Sequence, residues 1–536
     1  MATGTRESDR RLRASAGVLL LLIGLLGSGA GALLLAGTLP EEDARVTGPN
    51  VPVDPAAADL RDLRANNSPS LARNPARPTN LALVNRVDMP RFSCAFHVSA
   101  NGGSSWIPRT IPFPEGEETP PRCFAPDVAF DVKGTLFLSF VTLVGRGNSP
   151  NAVWLTSSRD QGRTLSVPRR VLGPLAFQTR LIADPVRAGR LHLFWLQAAS
   201  VGNLLFPTTG NPVNVMTSSD GGENWDAPVQ VSSPDRERVV APSPAAGRAT
   251  QLYVAYLDLG DDALDYHGGH EGRGGDPYPG PWSLVLARSL NGGGTWEETV
   301  VEEALVPSER FVVFLPPAPS VAVDPAKGRV YVAFHDARRG GADVLLWASA
   351  DNGRSFGAPR RVNDTPLRDG TSQYLPKVAV APGGRVDVLY YDRRGDRDNV
   401  MNVTSFQFSS DGGATFGPAV TVSDRSFDSR IGFGTERDLP DLGSRLALVS
   451  GTDRSLAVWT DTRAGTGASG KQDLASGVVE VSTRSGWRTP LEVVGVVLLV
   501  GAGVLGLGTV ALRLRRRPFE DPVPAEEYRG GPPMVL

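Results

Sequence analysis

The middle of the chain is a succession of short apolar runs with period-two alternation, broken at intervals by Gly, Pro, Asp or Asn. Alternation of this kind predicts half-buried β-strands, and the breaks predict tight turns. Residues 319–324, 329–334, 343–349 and 360–362 make one set of four such runs. Residues 376–381 and 385–390 begin the next set with the same spacing. A column of aromatics runs through the sets: Phe140, Trp195, Tyr256, Phe334, Tyr390 and Trp459 all fall near the end of a second strand. Two residues later come Thr142, Gln197, Asp258, Asp336, Asp392 and Asp461. A spacing of two puts each pair on one strand face, and the aromatics are expected to fill the core between neighbouring units.

Between the third and fourth strands a second pattern recurs. It reads Ser-x-Asp/Asn-x-Gly-x-Thr/Ser-Trp/Phe in its general form, with copies starting at residues 99, 158, 218, 289, 349 and 409. The second copy departs from it only in ending on Leu165. The starts are 59, 60, 71, 60 and 60 residues apart. A fixed period of this size marks a repeat architecture, and four short strands per repeat describe a propeller blade. The pattern resembles the Asp box of the sialidase-like (BNR-repeat) β-propellers, over roughly residues 80–488. The resemblance implies an all-β Asp-box propeller. A last unit at 444–487 has three strands and no proper box, while a first unit at 80–106 has strands at 81–84 and 92–96 plus a box. This count favours seven blades, with six if the first strands complete the last unit. The box residues Asn101, Asp160, Asp220, Asn291, Asp351 and Asp411 are expected to be structural. Gly supplies positive φ, and Asp or Asn bonds the backbone N–H groups of the turn.

Outside the repeats the hydropathy changes. Residues 16–39 form an apolar run preceded by Arg6, Arg10, Arg11 and Arg13. A second run, 493–512 within a segment 491–512, is followed by Arg513, Arg515, Arg516 and Arg517. Both are long enough to span a bilayer, and positive flanks stay on the cytoplasmic side. The expected order is a cytoplasmic N-terminus (1–15), a transmembrane helix (16–39), a Pro-rich extracytoplasmic linker (40–79), the propeller (80–488), a second transmembrane helix and a cytoplasmic tail (513–536). A cleaved signal peptide is the alternative for the first run. Outside the membrane disulfides are permitted, so Cys94 and Cys123 are expected to pair, two buried thiols being the alternative. Net charge is −2, which gives no basic field for nucleic acid.

Candidate chemistry lies on the face opposite the boxes. There the second strands end in Asp336 with Arg338 and Arg339, Asp392 with Arg393 and Arg394, and Asp461 with Arg463. Forked guanidinium groups could hold an acidic sugar, or each Arg could tie its own Asp. The family resemblance implies an Arg-Ile-Pro motif ahead of the first box, three arginines for a sugar carboxylate, an acid/base and a Tyr–Glu nucleophile pair. Here the stretch reads Asn85-Arg-Val-Asp-Met-Pro-Arg-Phe92, leaving Arg86 or Arg91 as substitutes. Tyr374 is the nucleophile candidate, with Glu309 or Glu436 as partner. His267 and His270, on a Gly-rich loop, are expected to shape the rim, and no metal or cofactor is expected. The two readings are a membrane-anchored, non-catalytic module binding a glycan, envelope polymer or protein, and an exo-sialidase or related glycoside hydrolase. Arginines converging on an exposed Tyr–Glu pair would mark the hydrolase. Arginines locked to their own aspartates would mark the binder.

Overall fold

A computed structural model describes residues 43–482 except 55–56, 58, 60, 119, 201–209, 263–280, 308–316 and 433–441. Seven antiparallel sheets, six of four strands and one of five, make a seven-bladed β-propeller. Blade one is Asn66–Arg73, Leu81–Val87, Ser93–Ser99 and Ile107–Arg109. Blades two to four begin with Cys123–Phe130, Ala176–Ala183 and Val239–Ala246. Blades five and six begin with Ser320–Asp324 and Gln373–Val380. Each continues through consecutive strands, as sequence order and pairing require.

Blade seven is closed differently. Its inner three strands, Ala447–Ser450, Arg454–Asp461 and Asp473–Ser482, come from the C-terminal end. Its outer strand is Asp43–Pro52, from the other end of the propeller chain. Arg45 pairs with Glu480 at 3.1 Å, and Ser476 Oγ donates to the Val51 carbonyl at 3.1 Å. The two strands are therefore antiparallel. A propeller closed by strands from both ends has no free edge for its ring to open at.

This closure corrects the reading of residues 40–79 as a linker, and it moves the propeller's start from 80 to 43. Residues 66–73 carry little apolar signal because their buried side chains are polar. Asn67 Nδ2 donates to Asp88 at 2.8 Å, and Asn66 Nδ2 to the Gln472 carbonyl at 3.2 Å. Hydrogen-bonded amides replace the apolar face that periodicity detects. Residues 43–52 form an outer strand with no fully buried position, so they too lack the pattern.

The aromatic column is buried between blades as expected, with Phe140, Tyr256, Phe334, Tyr390 and Trp459 fully enclosed. Among the described residues no helix is long and apolar enough to cross a membrane. Both expected spans lie outside those residues.

Candidate functional site: the channel mouth and the arginine rim

The first strands line the central axis, and a repeated local device shapes them. In blades one, two, three, four and six the register slips near the start of the first strand. At each slip one residue takes positive φ: Ser68 (52°), Ala125 (46°), Gln178 (49°), Ala241 (59°) and Leu375 (53°). These are β-bulges, which bend the strand and re-aim the side chains beyond them. Four of the bulge residues, Ser68, Ala125, Gln178 and Ala241, with Ala318 and Ser444, surround a narrow mouth on the face opposite the boxes. Two residues further on, Ser70, Asp127, Arg180, Ser243, Ser320 and Lys377 line a channel cavity of about 170 Å³.

Three arginines reach the mouth: Arg86, Arg180 and Arg445. Arg86 is buried, forms a 2.7 Å ion pair with Asp88 and lies 5.1 Å over the Phe124 ring. Arg445 donates to the Pro69 carbonyl at 3.1 Å and the Pro126 carbonyl at 2.7 Å. Two of the three are thus tied to the scaffold. Arg180 and Arg445 were missed by the sequence reading. An X-Pro step marks the equivalent position in the other five blades, Ser68-Pro69, Ala125-Pro126, Ala241-Pro242, Ala318-Pro319 and Leu375-Pro376, but the segments of Arg180 and Arg445 read Gln178-Thr179 and Ser444-Arg445 and lack it.

Further out, the ends of the second strands carry the expected Asp–Arg sequences. Arg338 forks onto Asp336 with contacts of 2.6 and 2.9 Å. Arg394 reaches Asp392 at 2.5 Å and Asp364 at 2.8 Å. Arg463 holds Asp461 at 2.7 Å and also pairs with Asp424. Ion pairing and these hydrogen bonds keep the guanidinium groups of Arg338, Arg394 and Arg463 charged at all ordinary pH. Asp336 and Asp392 are buried, so each pair anchors a loop to its blade. Arg393 turns inward instead. It is 1% exposed, sits 5.0 Å over the Tyr374 ring and donates to Ser429 at 2.9 Å and Asn402 at 3.2 Å.

Tyr374 is also buried, and its hydroxyl donates to Asn402 Oδ1 at 3.0 Å. Tyr391 packs against it with ring centroids 5.5 Å apart. Glu309, Glu436, His267 and His270 lie outside the described residues. Among the described residues no three His, Cys, Asp or Glu side chains gather to hold a metal ion. Cys94 and Cys123 are disulfide-bonded, joining blade one to the first strand of blade two.

The boxes sit on the other face. In the second, Ser158 Oγ donates to Asp160 Oδ1 at 2.6 Å and accepts from Gly162 N at 2.9 Å. Thr164 Oγ1 donates to Asp160 Oδ2 at 2.7 Å. Hydrogen bonds from Ser158 and Thr164 hold the Asp160 carboxyl down at about 2. Asp220, Asp351 and Asp411, and the amides of Asn101 and Asn291, repeat this arrangement.

No protein-family model matches the chain, and no match is found among curated protein sequences. Solved structures do resemble it. A protein of unknown function from Dyadobacter fermentans shares 16% identity at a TM-score of 0.46, covering 82% of this chain and 99% of its own. A Hadza microbial sialidase shares 16% at 0.40, covering 67% and 66%. A Penicillium chrysogenum α-L-arabinanase shares 16% at 0.39, covering 68% and 95%. At these identities and TM-scores the likenesses carry no argument about activity.

Proposed function

We propose that this chain is a membrane-anchored, extracytoplasmic propeller that binds a cell-envelope glycan and does not hydrolyse it. The observation that carries this reading is the state of the rim arginines. Arg338, Arg394 and Arg463 are each spent on their own aspartate. A hydrolase of acidic sugars needs guanidinium groups free to take a carboxylate. A rim of neutralised Asp–Arg pairs instead offers outward N–H donors and carboxylate lone pairs without net charge, which suits sugar hydroxyls. Between Arg338, Arg339, Asp343 and Arg361 lies a polar cleft of about 70 Å³.

Anchoring is supported by the two apolar runs with basic flanks. The closing strands of blade seven meet at Arg45 and Glu480 beside Arg454, on the box side.

The test uses the full chain in detergent. A fluorogenic sialoside should give no turnover, and isolated envelope polysaccharide should bind saturably. The double variant Arg338→Ala, Arg463→Ala should bind that polysaccharide about tenfold or more weakly, as the loss of charged hydrogen bonds predicts. Turnover of the sialoside would establish the hydrolase reading instead. Equal binding by the double variant would remove the rim as the site.

A further inference from the structure

Arg180 and Lys377 hold equivalent positions in blades three and six, nearly opposite across a seven-bladed ring. Each lies two residues beyond its bulge residue, Gln178 or Leu375, and both line the 170 Å³ channel cavity. Among the described residues neither side chain has a hydrogen-bond or ion-pair partner; what acts on them is burial and the charges across the channel.

The carboxylate that lines the same cavity is already engaged. Asp127 accepts from Ser70 Oγ, from Leu181 N at 2.9 Å and from Val128 N at 3.2 Å. Arg445, the third cation at the wall, is committed to backbone carbonyls. Burial strips much of the hydration from both cations, and the charge of Asp127 across the channel offsets only part of that cost. The molecule carries four lysines, and placing one of them here is against the ordinary surface preference of lysine. Burial, then the charge of Arg180, lowers the pKa of Lys377, and burial lowers that of Arg180. A bound anion would reverse both effects.

We propose that the central channel is an anion site in which Arg180 and Lys377 clamp a small tetrahedral oxyanion of the phosphate or sulfate class. The guanidinium fork matches two oxygens of such an ion, and the ammonium supplies a point charge from the far side. The Ser243 and Ser320 hydroxyls stand along the same wall. The cavity is roughly tenfold the ~10–15 Å³ that one water needs, enough for an oxyanion with some waters and too small for a polymer. This site is independent of the glycan reading, since it uses none of the rim residues.

The experiment is a titration of the full chain in detergent with inorganic phosphate and with sulfate, against chloride at matched ionic strength. Calorimetry and the melting temperature are the readouts. Saturable binding is expected, with a melting temperature that climbs with ligand concentration. Lys377→Met and Arg180→Met should each weaken binding at least tenfold while raising the ligand-free melting temperature. Lys377→Arg keeps the charge and should retain binding within a few-fold, which separates loss of the site from loss of the fold. No saturable response to phosphate or sulfate would overturn the proposal. So would undiminished binding in either methionine variant, or binding of glucuronate in preference to both inorganic ions.

Discussion

Two adjacent glycines of one box separate the conformational from the steric demands on the motif. Gly221 has φ +78°, and a Cβ there would meet Phe137 at an ordinary 3.6 Å. Gly222 has φ +83°, and its Cβ would lie 2.1 Å from Leu155 Cδ2 of the preceding blade. Gly162, Gly353 and Gly413 meet Val98, Leu286 and Leu346 of their preceding blades in the same way. In these four boxes the fifth-position glycine is thus where one blade's turn lies flat against its neighbour, whereas a Cβ at Gly293 of the fourth box would come no nearer than 3.5 Å to any side chain. Gly221→Ala should cost about 1–2 kcal/mol for the left-handed backbone alone. Gly222→Ala should cost a further ~1–3 kcal/mol for overpacking. Urea unfolding of both variants measures the difference, and equal losses would mean the box closes only its own hairpin. The boxes were legible in the sequence because geometry leaves their residues little choice. Tyr374 was not legible in the same sense. Its residue type suggested chemistry, but only the fold shows the ring enclosed beneath Arg393, with Tyr391 and His335 around it.

At the level of strands, what could be read depended on how each strand is buried. Strands such as Arg329–Asp336 and Val386–Asp392, apolar over most of their length, were placed from the sequence to within two residues. Asn66–Arg73 was missed because its burial is satisfied by amide hydrogen bonds, and Asp43–Pro52 because it is an outer strand. The seven-blade count was legible from units at both ends, but the closure that completes it was not. Nothing in a local pattern says that residue 45 pairs with residue 480. The same blindness hid the channel cations, whose common position appears only once the bulges align the first strands. The closing strand gives a direct prediction. A chain that begins at Val53 loses the outer strand of blade seven and bares the backbone edge of Asp473–Ser482. An unpaired edge recruits other edges. The shortened protein should melt lower and run as oligomers in size exclusion, whereas a monomer of unchanged melting temperature would show that the strand adds nothing to closure.

The molecule as a whole should be an acid-sensitive structure, and the sign follows from its buried groups. Burial lowers the pKa of His97, His192 and His335 from 6.5 to about 4. In each case the unfolded chain takes up a proton below pH 6.5 that the native state refuses, so their contribution is complete above 6.5 and is lost as pH falls toward 4. Asp473 works the other way. Burial raises its carboxyl from 3.8 to about 7, against the ammonium of Lys471 at 3.7 Å. The native state keeps a proton that the unfolded chain releases, so this contribution is present at low pH and disappears as pH rises from about 4 to 7. Asp127, its pKa also raised by burial, acts in the same sense as Asp473. Three imidazoles outweigh two carboxyls, and the melting temperature should rise from pH 4.5 to pH 6.5. Asp473→Asn removes one opposing proton while keeping the shape of the side chain. It should steepen that rise and make the protein more stable than wild type at pH 8, where the wild-type carboxylate is charged beside Asp54 and Asp62. A flat profile in wild type would mean the three histidines are protonated within the fold. A variant less stable at pH 8 would mean that the charged Asp473–Lys471 pair holds the Lys471 crossing in place, where the lysine also donates to the Ala57 and Asp59 carbonyls at 2.8 and 2.7 Å.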